Sequence, residues 1–227
     1  ISNAPSEMIL ENGVIYWFPE VVGEYGPITI TVIDGGEDES VPAVEEFYII
    51  VEYLYTVVDY SFSAANNLIS FYSIPPEDQS IEFIFSDLGS SITNIFAENA
   101  LAFLLPNGNW VGSLDEIEDD KGYWVRMDEI ADLTVFGLPT ENVQYILHSG
   151  NNLLSYRWGS GSTSTLEALG GEEFATENFN FILGQGLGLF NTVDGWSGNL
   201  TNLIEGKGYW VNASNSNINF KWGFDNC

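Results

Sequence analysis

Apolar residues in this chain fall in short runs of period two, separated by Gly, Pro, Asn and Asp, which is the pattern of a strand-rich protein. Gly26 to Ile33 alternates through Ile28, Thr29, Ile30, Thr31 and Val32, and Ala43 to Val51 answers with Val44, Phe47, Ile49 and Val51 around Glu45 and Glu46. The acidic, glycine-containing stretch from Asp34 to Ser40 joins them, so the two runs predict a β-hairpin. Extended runs follow at Tyr60 to Tyr72 and Tyr145 to Trp158. Short helices are expected at Ser80 to Leu88, before Gly89, and at Ser164 to Leu169, before Gly170 and Gly171, each with a capping Ser at its start. Further strands are expected at Ala100 to Leu105, Gly186 to Phe190, Leu133 to Phe136 and Ile218 to Trp222.

These elements recur in order because the chain carries a tandem duplication. Asn66-Asn67-Leu68-Ile69-Ser70 returns as Asn151-Asn152-Leu153-Leu154-Ser155, and Trp110-Val111-Gly112-Ser113-Leu114 returns as Trp196-Ser197-Gly198-Asn199-Leu200. Lys121-Gly122-Tyr123-Trp124-Val125 returns as Lys207-Gly208-Tyr209-Trp210-Val211. Landmarks repeated in two copies are expected to hold a fold rather than perform one act of chemistry.

Composition narrows the functional classes. Of 227 residues, 33 are Asp or Glu and five are Lys or Arg, a formal charge of −28, which repels phosphate backbones and anionic lipid headgroups and excludes nucleic acid as a partner. With 45% hydrophobic and 15% aromatic residues the chain has the means to build cores despite that charge. Cys227 is the sole cysteine, so no internal disulfide forms, and no apolar run reaches the roughly 20 residues of a membrane helix. The absence of a starting Met and of a basic-then-apolar leader is what a processed secreted protein, or a piece of a longer one, is expected to show.

Two resemblances add to this. Ala4-Pro5, Leu10-Glu11-Asn12-Gly13-Val14-Ile15, Trp17-x-Pro19, Val22-Gly23-Glu24-Tyr25, Thr29 through Gly36 and Phe47 through Val51 together resemble the immunoglobulin-like, dystroglycan-type cadherin-like module of bacterial surface proteins. That family has strands upstream of the Ala-Pro landmark, and about 50 residues fall short of a sandwich of about 100, so the resemblance implies the back half of such a module. The duplicated segments resemble β-rich modules ending in Gly-Lys-Gly-Tyr-Trp-Val found in secreted and surface-anchored bacterial proteins; Gly206 keeps the leading Gly and Asp120 replaces it in the first copy. The expected fold is mainly β: a partial immunoglobulin-like β-sandwich at 1–55, then two homologous β-rich modules at 56–140 and 141–227, each with one short helix.

Candidate chemistry is thin. Asp34, Glu37, Asp38 and Glu39 cluster beside Gly35-Gly36, an oxygen-rich turn that calcium would suit, though not with the spacing of an EF-hand, and a solvated acidic loop is the favoured reading. The run from Asp115 to Asp120 is not kept in the second copy and reads as surface charge. Trp110, Tyr123, Trp124, Trp196, Tyr209 and Trp210 have the flat faces of sugar-stacking platforms, but strand-borne aromatics at repeated positions are expected to fill the repeat cores. Trp158 stands where the first copy has Ser73, making it the better candidate for a glycan-stacking aromatic. Lys121 and Lys207, two of the five cations, share one repeat position and are expected to neutralise local carboxylates. Asn199 and Asn212 head glycosylation sequons. With His148 as the single histidine and no carboxylate pair standing out, an enzyme is not expected.

The expected role is therefore that of an extracellular or cell-surface structural protein, a stalk, adhesin segment or filament subunit. It would assemble with itself or with other modules of its polypeptide by strand complementation at open β edges, needing no cofactor beyond a candidate calcium ion. The alternative is a carbohydrate-binding accessory module of a larger secreted protein, with a glycan as partner.

Overall fold

Where turn residues bound the alternating runs, strands form. The computed structural model describes residues 1–19, 21–33, 41–139, 143–158 and 162–223. Two compact units result, Ile1–Leu54 and Tyr55–Cys227, and the protein is mainly β.

In the first unit β1 (Ile9–Glu11) and β2 (Val14–Tyr16) pair across Asn12 and Gly13, both with positive φ, as a tight hairpin requires. β3 (Gly23–Val32) pairs with β4 (Ala43–Val51) as the expected hairpin. The register sets Ile28 opposite Phe47 and Tyr25 opposite Ile49, and Trp17 packs edge-on against Tyr25 with ring centroids 4.6 Å apart. Ser2 exchanges two backbone hydrogen bonds with Thr29, at 2.9 and 3.1 Å, and so covers part of the outer edge of β3. Among the described residues of this unit, Met8 and Ile28 are the only buried apolar side chains. The acidic turn with Asp34, Glu37, Asp38 and Glu39 lies outside the described residues.

In the second unit, the first repeat comprises β5 (Thr56–Phe62), β6 (Ala65–Ser70), β7 (Ser73–Ile74), α1 (Ile81–Ile84), a 3₁₀ helix (Ser86–Ser91), β8 (Ile92–Phe96), β9 (Leu101–Leu104), β10 (Trp110–Gly112), β11 (Gly122–Met127) and β12 (Ala131–Pro139). The second comprises β13 (Tyr145–Leu147), β14 (Gly150–Ser155), β15 (Ser162–Ser164), α2 (Thr165–Ala168), α3 (Glu172–Asn178), β16 (Phe179–Gly184), β17 (Leu187–Thr192), β18 (Gly195–Gly198), β19 (Asn202–Ile204), β20 (Gly208–Ala213) and β21 (Ile218–Phe220). Their main sheets have the same order, β10-β9-β8-β11-β6 and β18-β17-β16-β20-β14. Each sheet covers its own hydrophobic cluster, centred on Phe71, Ile95, Tyr123 and Val125 in one repeat and on Tyr156, Ile182, Val211 and Phe220 in the other.

Repeated residues have repeated tasks. Asn67 accepts the Ser63 N–H at 2.9 Å and donates to Ser63 O at 2.8 Å, while Asn152 does the same with His148 at 3.0 and 2.9 Å, so each buried amide pins the turn into its strand. Tyr123 and Tyr209 accept the N–H of Glu118 and Ile204 at 2.7 and 2.9 Å, tying the preceding loop to the core. Gly112 and Gly198, at φ +150 and +155, lie where a Cβ would come 2.1 Å from Leu101 O or Gly188 O, so no side chain is tolerated. The Ser80 hydroxyl caps α1 at Phe83 N, as expected; Ser164 makes no such bond to α2, and α3 is an addition to the sequence reading.

Replacing buried Asn67 by Ala leaves the Ser63 backbone groups without their side-chain partner and should destabilise the protein by about 1–3 kcal/mol. The neighbouring exposed Asn66→Ala should stay within about 0.5 kcal/mol. Equilibrium denaturation of both variants checks this, and equal effects would remove the assigned role of Asn67.

Candidate functional site

The duplicated signature converges at the junction between the repeats. Gly122 and Gly208 each begin the strand that carries Tyr-Trp-Val, and both lack a side chain because the other repeat is there. A Cβ on Gly208 would lie 2.7 Å from Ile69 O and 3.2 Å from the Cα of Gly122. One on Gly122 would lie 2.8 Å from Leu153 Cδ1 and 3.0 Å from Leu154 O. Leu68 and Leu153, equivalent in the repeats, are both buried although neither belongs to its repeat's hydrophobic cluster.

Reciprocal hydrogen bonds complete the junction. Ser70 N–H donates to Gly206 O at 2.9 Å and Ser155 N–H to Asp120 O at 3.2 Å. Ser70 Oγ donates to Lys207 O at 2.8 Å and accepts the Tyr156 N–H at 3.2 Å. Glu98 and Gln185, at matching places after β8 and β16, each reach across to the edge strand of the other repeat. Glu98 accepts the Leu153 N–H and Gln185 accepts the Leu68 N–H, both at 2.9 Å, and Gln185 also donates to Asn66 O. Sequence reasoning missed these two residues because an acid and an amide do not register as a repeat. Ser70 and Ser155 were visible as the last letter of the Asn-Asn-Leu landmark.

Ionisable groups at the junction differ between copies. Arg157, with its side chain almost wholly buried, donates to Asp119 at 2.9 Å, while its Nε and Nη2 have no partner. Burial, followed by the nearby Glu118, raises the Asp120 carboxyl above its ordinary pKa. Burial also raises the Tyr123 phenol, and pushes Tyr209 up to about 12, so both remain neutral hydrogen-bonding groups at physiological pH. His148 holds Ser149 O at 2.9 Å from Nδ1 and Glu98 at 2.5 Å from Nε2. Both partners are acceptors, so this arrangement favours the protonated imidazole, in which both ring nitrogens donate.

The remaining sequence candidates are placed as follows. Tyr123 and Tyr209 are core residues; Trp124 and Trp210 are half-buried on the sheet face away from the core; Trp110 and Trp196 are half-buried against the first and second clusters. Trp158 is half-buried against the second cluster, lying over Gly223. Lys121 pairs with Glu118, and the backbone oxygen of Lys207 receives Ser70. Asn212 donates to Asn151 at 2.6 Å and accepts from Asn180 at 2.8 Å. Asn199 is exposed, with its oxygen on the Gly188 N–H at 2.8 Å. Among the described residues no group of three or more His, Cys, Asp or Glu is placed to hold a metal ion.

Two cavities lie away from the junction. One of about 460 Å³ and one of about 500 Å³ flank Trp110 and share Glu82. A third, of about 420 Å³, opens at the junction between Glu98, Lys121 and Leu153. Set against models of known protein families, curated proteins and solved structures, the chain matches none.

The His148 contacts raise its pKa, chiefly through Ser149 O and then Glu98. A raised folded pKa stabilises fully below the unfolded value of about 6.5 and the contribution fades as pH rises through the folded pKa. Proton NMR of this single histidine should give a pKa above 6.5 that falls on Glu98→Gln. A value at or below 6.5 would contradict the ion pair.

Proposed function

We propose that this protein is a structural, non-enzymatic segment of extracellular or cell-surface material, a stalk, adhesin segment or filament subunit, that joins to its neighbours through an open strand edge. The observation that carries this reading is β4. It pairs with β3 alone among the described residues, and it leaves Val44, Tyr48 and Ile50 exposed at 56, 57 and 66% on one face. A nine-residue strand with free backbone groups and apolar side chains is a template for another strand. The small buried core of this unit fits half of an immunoglobulin-like module that gains the rest of its core from a neighbour.

The second unit supports the reading differently. Most of its repeated residues serve turns, cores and the junction, so the duplication supplies a stiff, doubled block. Acidity fits the same role. Thirty-three carboxylates against five cations keep molecules apart at low salt, and association follows once counterions screen them.

Sedimentation velocity on the full chain should show association that grows as salt rises from about 10 mM to about 150 mM, where the Debye length shrinks from about 30 to 8 Å. Tyr48→Lys combined with Ile50→Lys should abolish it, and cross-linking should place β4 at the contact. A monomer at every salt and at high concentration, or association that the double variant leaves unchanged, would refute the proposal.

A further inference from the structure

The duplication supplies an internal comparison around the tryptophan of the Trp-x-Gly segment. On edge strand β18, Trp196 is tied to α3: its indole N–H donates to Thr176 Oγ1 at 2.9 Å. Asn191, facing Trp196 across the hairpin, adds bonds to Thr176 O and Phe179 O, both at 3.0 Å. On edge strand β10, Trp110 holds the corresponding place, but the first repeat has a short 3₁₀ helix instead of α3, and Leu104 instead of Asn faces the ring. Among the described residues, the helix bond that holds one indole has no counterpart in the other copy.

What remains is a groove made of two cavities that share Trp110 and Glu82. The two cavities of about 460 and 500 Å³ each fall in the roughly 300–1,000 Å³ range of ligand sites. Trp110 is half-buried against the first hydrophobic cluster, which fixes the ring while leaving part of it open to the groove. Glu82 borders both cavities; Asp115 lines one, and Ser90 and Asn109 the other. Glu82 and Asp115 are the only charged side chains lining either cavity among the described residues.

We propose that this groove binds a neutral oligosaccharide or polysaccharide, with a pyranose ring stacked on Trp110 and hydroxyls bonded to Glu82, Asp115 and Asn109. The flat indole suits the apolar face of a sugar ring, as it does other extended apolar faces. Carboxylates accept from hydroxyls, while serine and amide groups both donate and accept, and that mixture is what a polyhydroxylated ligand uses. An anionic glycan is disfavoured because the lining carries two carboxylates and no cation. A cationic peptide would be drawn by the two carboxylates but offers no rigid ring with an apolar face to stack on the indole, so the sugar is the better fit. The site is built from residues of the second unit alone, whereas β4 belongs to the first, so the proposal does not rest on strand-edge association.

The full chain, with no affinity partner added, is applied to an array of immobilised neutral glucans, mannans, galactans, xylans and chitooligosaccharides, and any bound class is then titrated calorimetrically. At least one class should bind. Trp110→Ala should weaken that binding at least tenfold, Glu82→Gln severalfold, and Trp196→Ala not at all, with melting curves showing which variants remain folded. Glu82→Gln changes an exposed side chain and keeps the test informative should Trp110→Ala unfold. Binding to no neutral glycan, unchanged binding in Glu82→Gln, or capture of Lys/Arg-rich peptides in place of glycans would overturn the proposal.

Discussion

Two glycine backbones in contact set the arrangement of the larger unit. With Gly122 and Gly208 at the start of equivalent strands, the repeats approach so closely that a single methyl group on either residue would strike a carbonyl oxygen or a leucine of the other repeat. That approach brings Ser70 and Ser155 within reach of carbonyls across the junction and buries Leu68 and Leu153. The contacts are reciprocal, as in an isologous dimer interface, although both halves belong to one chain. The Gly-Tyr-Trp-Val signature therefore does two things at once: its Tyr and Val hold the core of their own repeat, and its Gly admits the neighbouring one.

A scaffold held at these few positions lets the rest of each copy diverge. Glu98 pairs with His148, while its counterpart Gln185 bonds backbone at Leu68 and Asn66. Arg157 stands in the second repeat where Tyr72 stands in the first, and reaches Asp119 across the junction. α3 holds one tryptophan by its indole N–H, while its twin lies beside two cavities. Each difference falls on an exposed edge, a loop or the junction rim, where a change of side chain does not disturb the two clusters. The first unit presents the opposite situation, a hairpin with more apolar surface than it can bury by itself.

Much of this was legible in the chain. Alternation located the β3–β4 hairpin, and the doubled landmarks announced two like-built repeats. The break between β5 and β6 was not legible. The run from Tyr60 to Tyr72 looks continuous because Ala65 takes a positive φ that its equivalent, Gly150, signals openly. α3 was hidden for a related reason: it starts at Gly171 without a side-chain cap and spends its few residues on Glu, Thr and Asn, with Ala175 alone fully buried. At the junction, glycine spacing was visible but its cause was not, since close approach depends on atoms distant in sequence. The groove at Trp110 was hidden for the same reason, because what distinguishes it from Trp196 is a helix that the neighbouring residues do not advertise.

Native-state hydrogen exchange at Ser70 and Ser155 addresses the central claim most directly, because both amides donate to carbonyls of the opposite repeat. If the signature locks the repeats into one cooperative block, these two amides exchange only through global unfolding, with the same free energy as strand-centre amides such as Val125 and Val211. Exchange orders of magnitude faster at Ser70 and Ser155, with Val125 and Val211 still protected, would mean that the repeats part in the native state and that the shared signature serves only two separate cores.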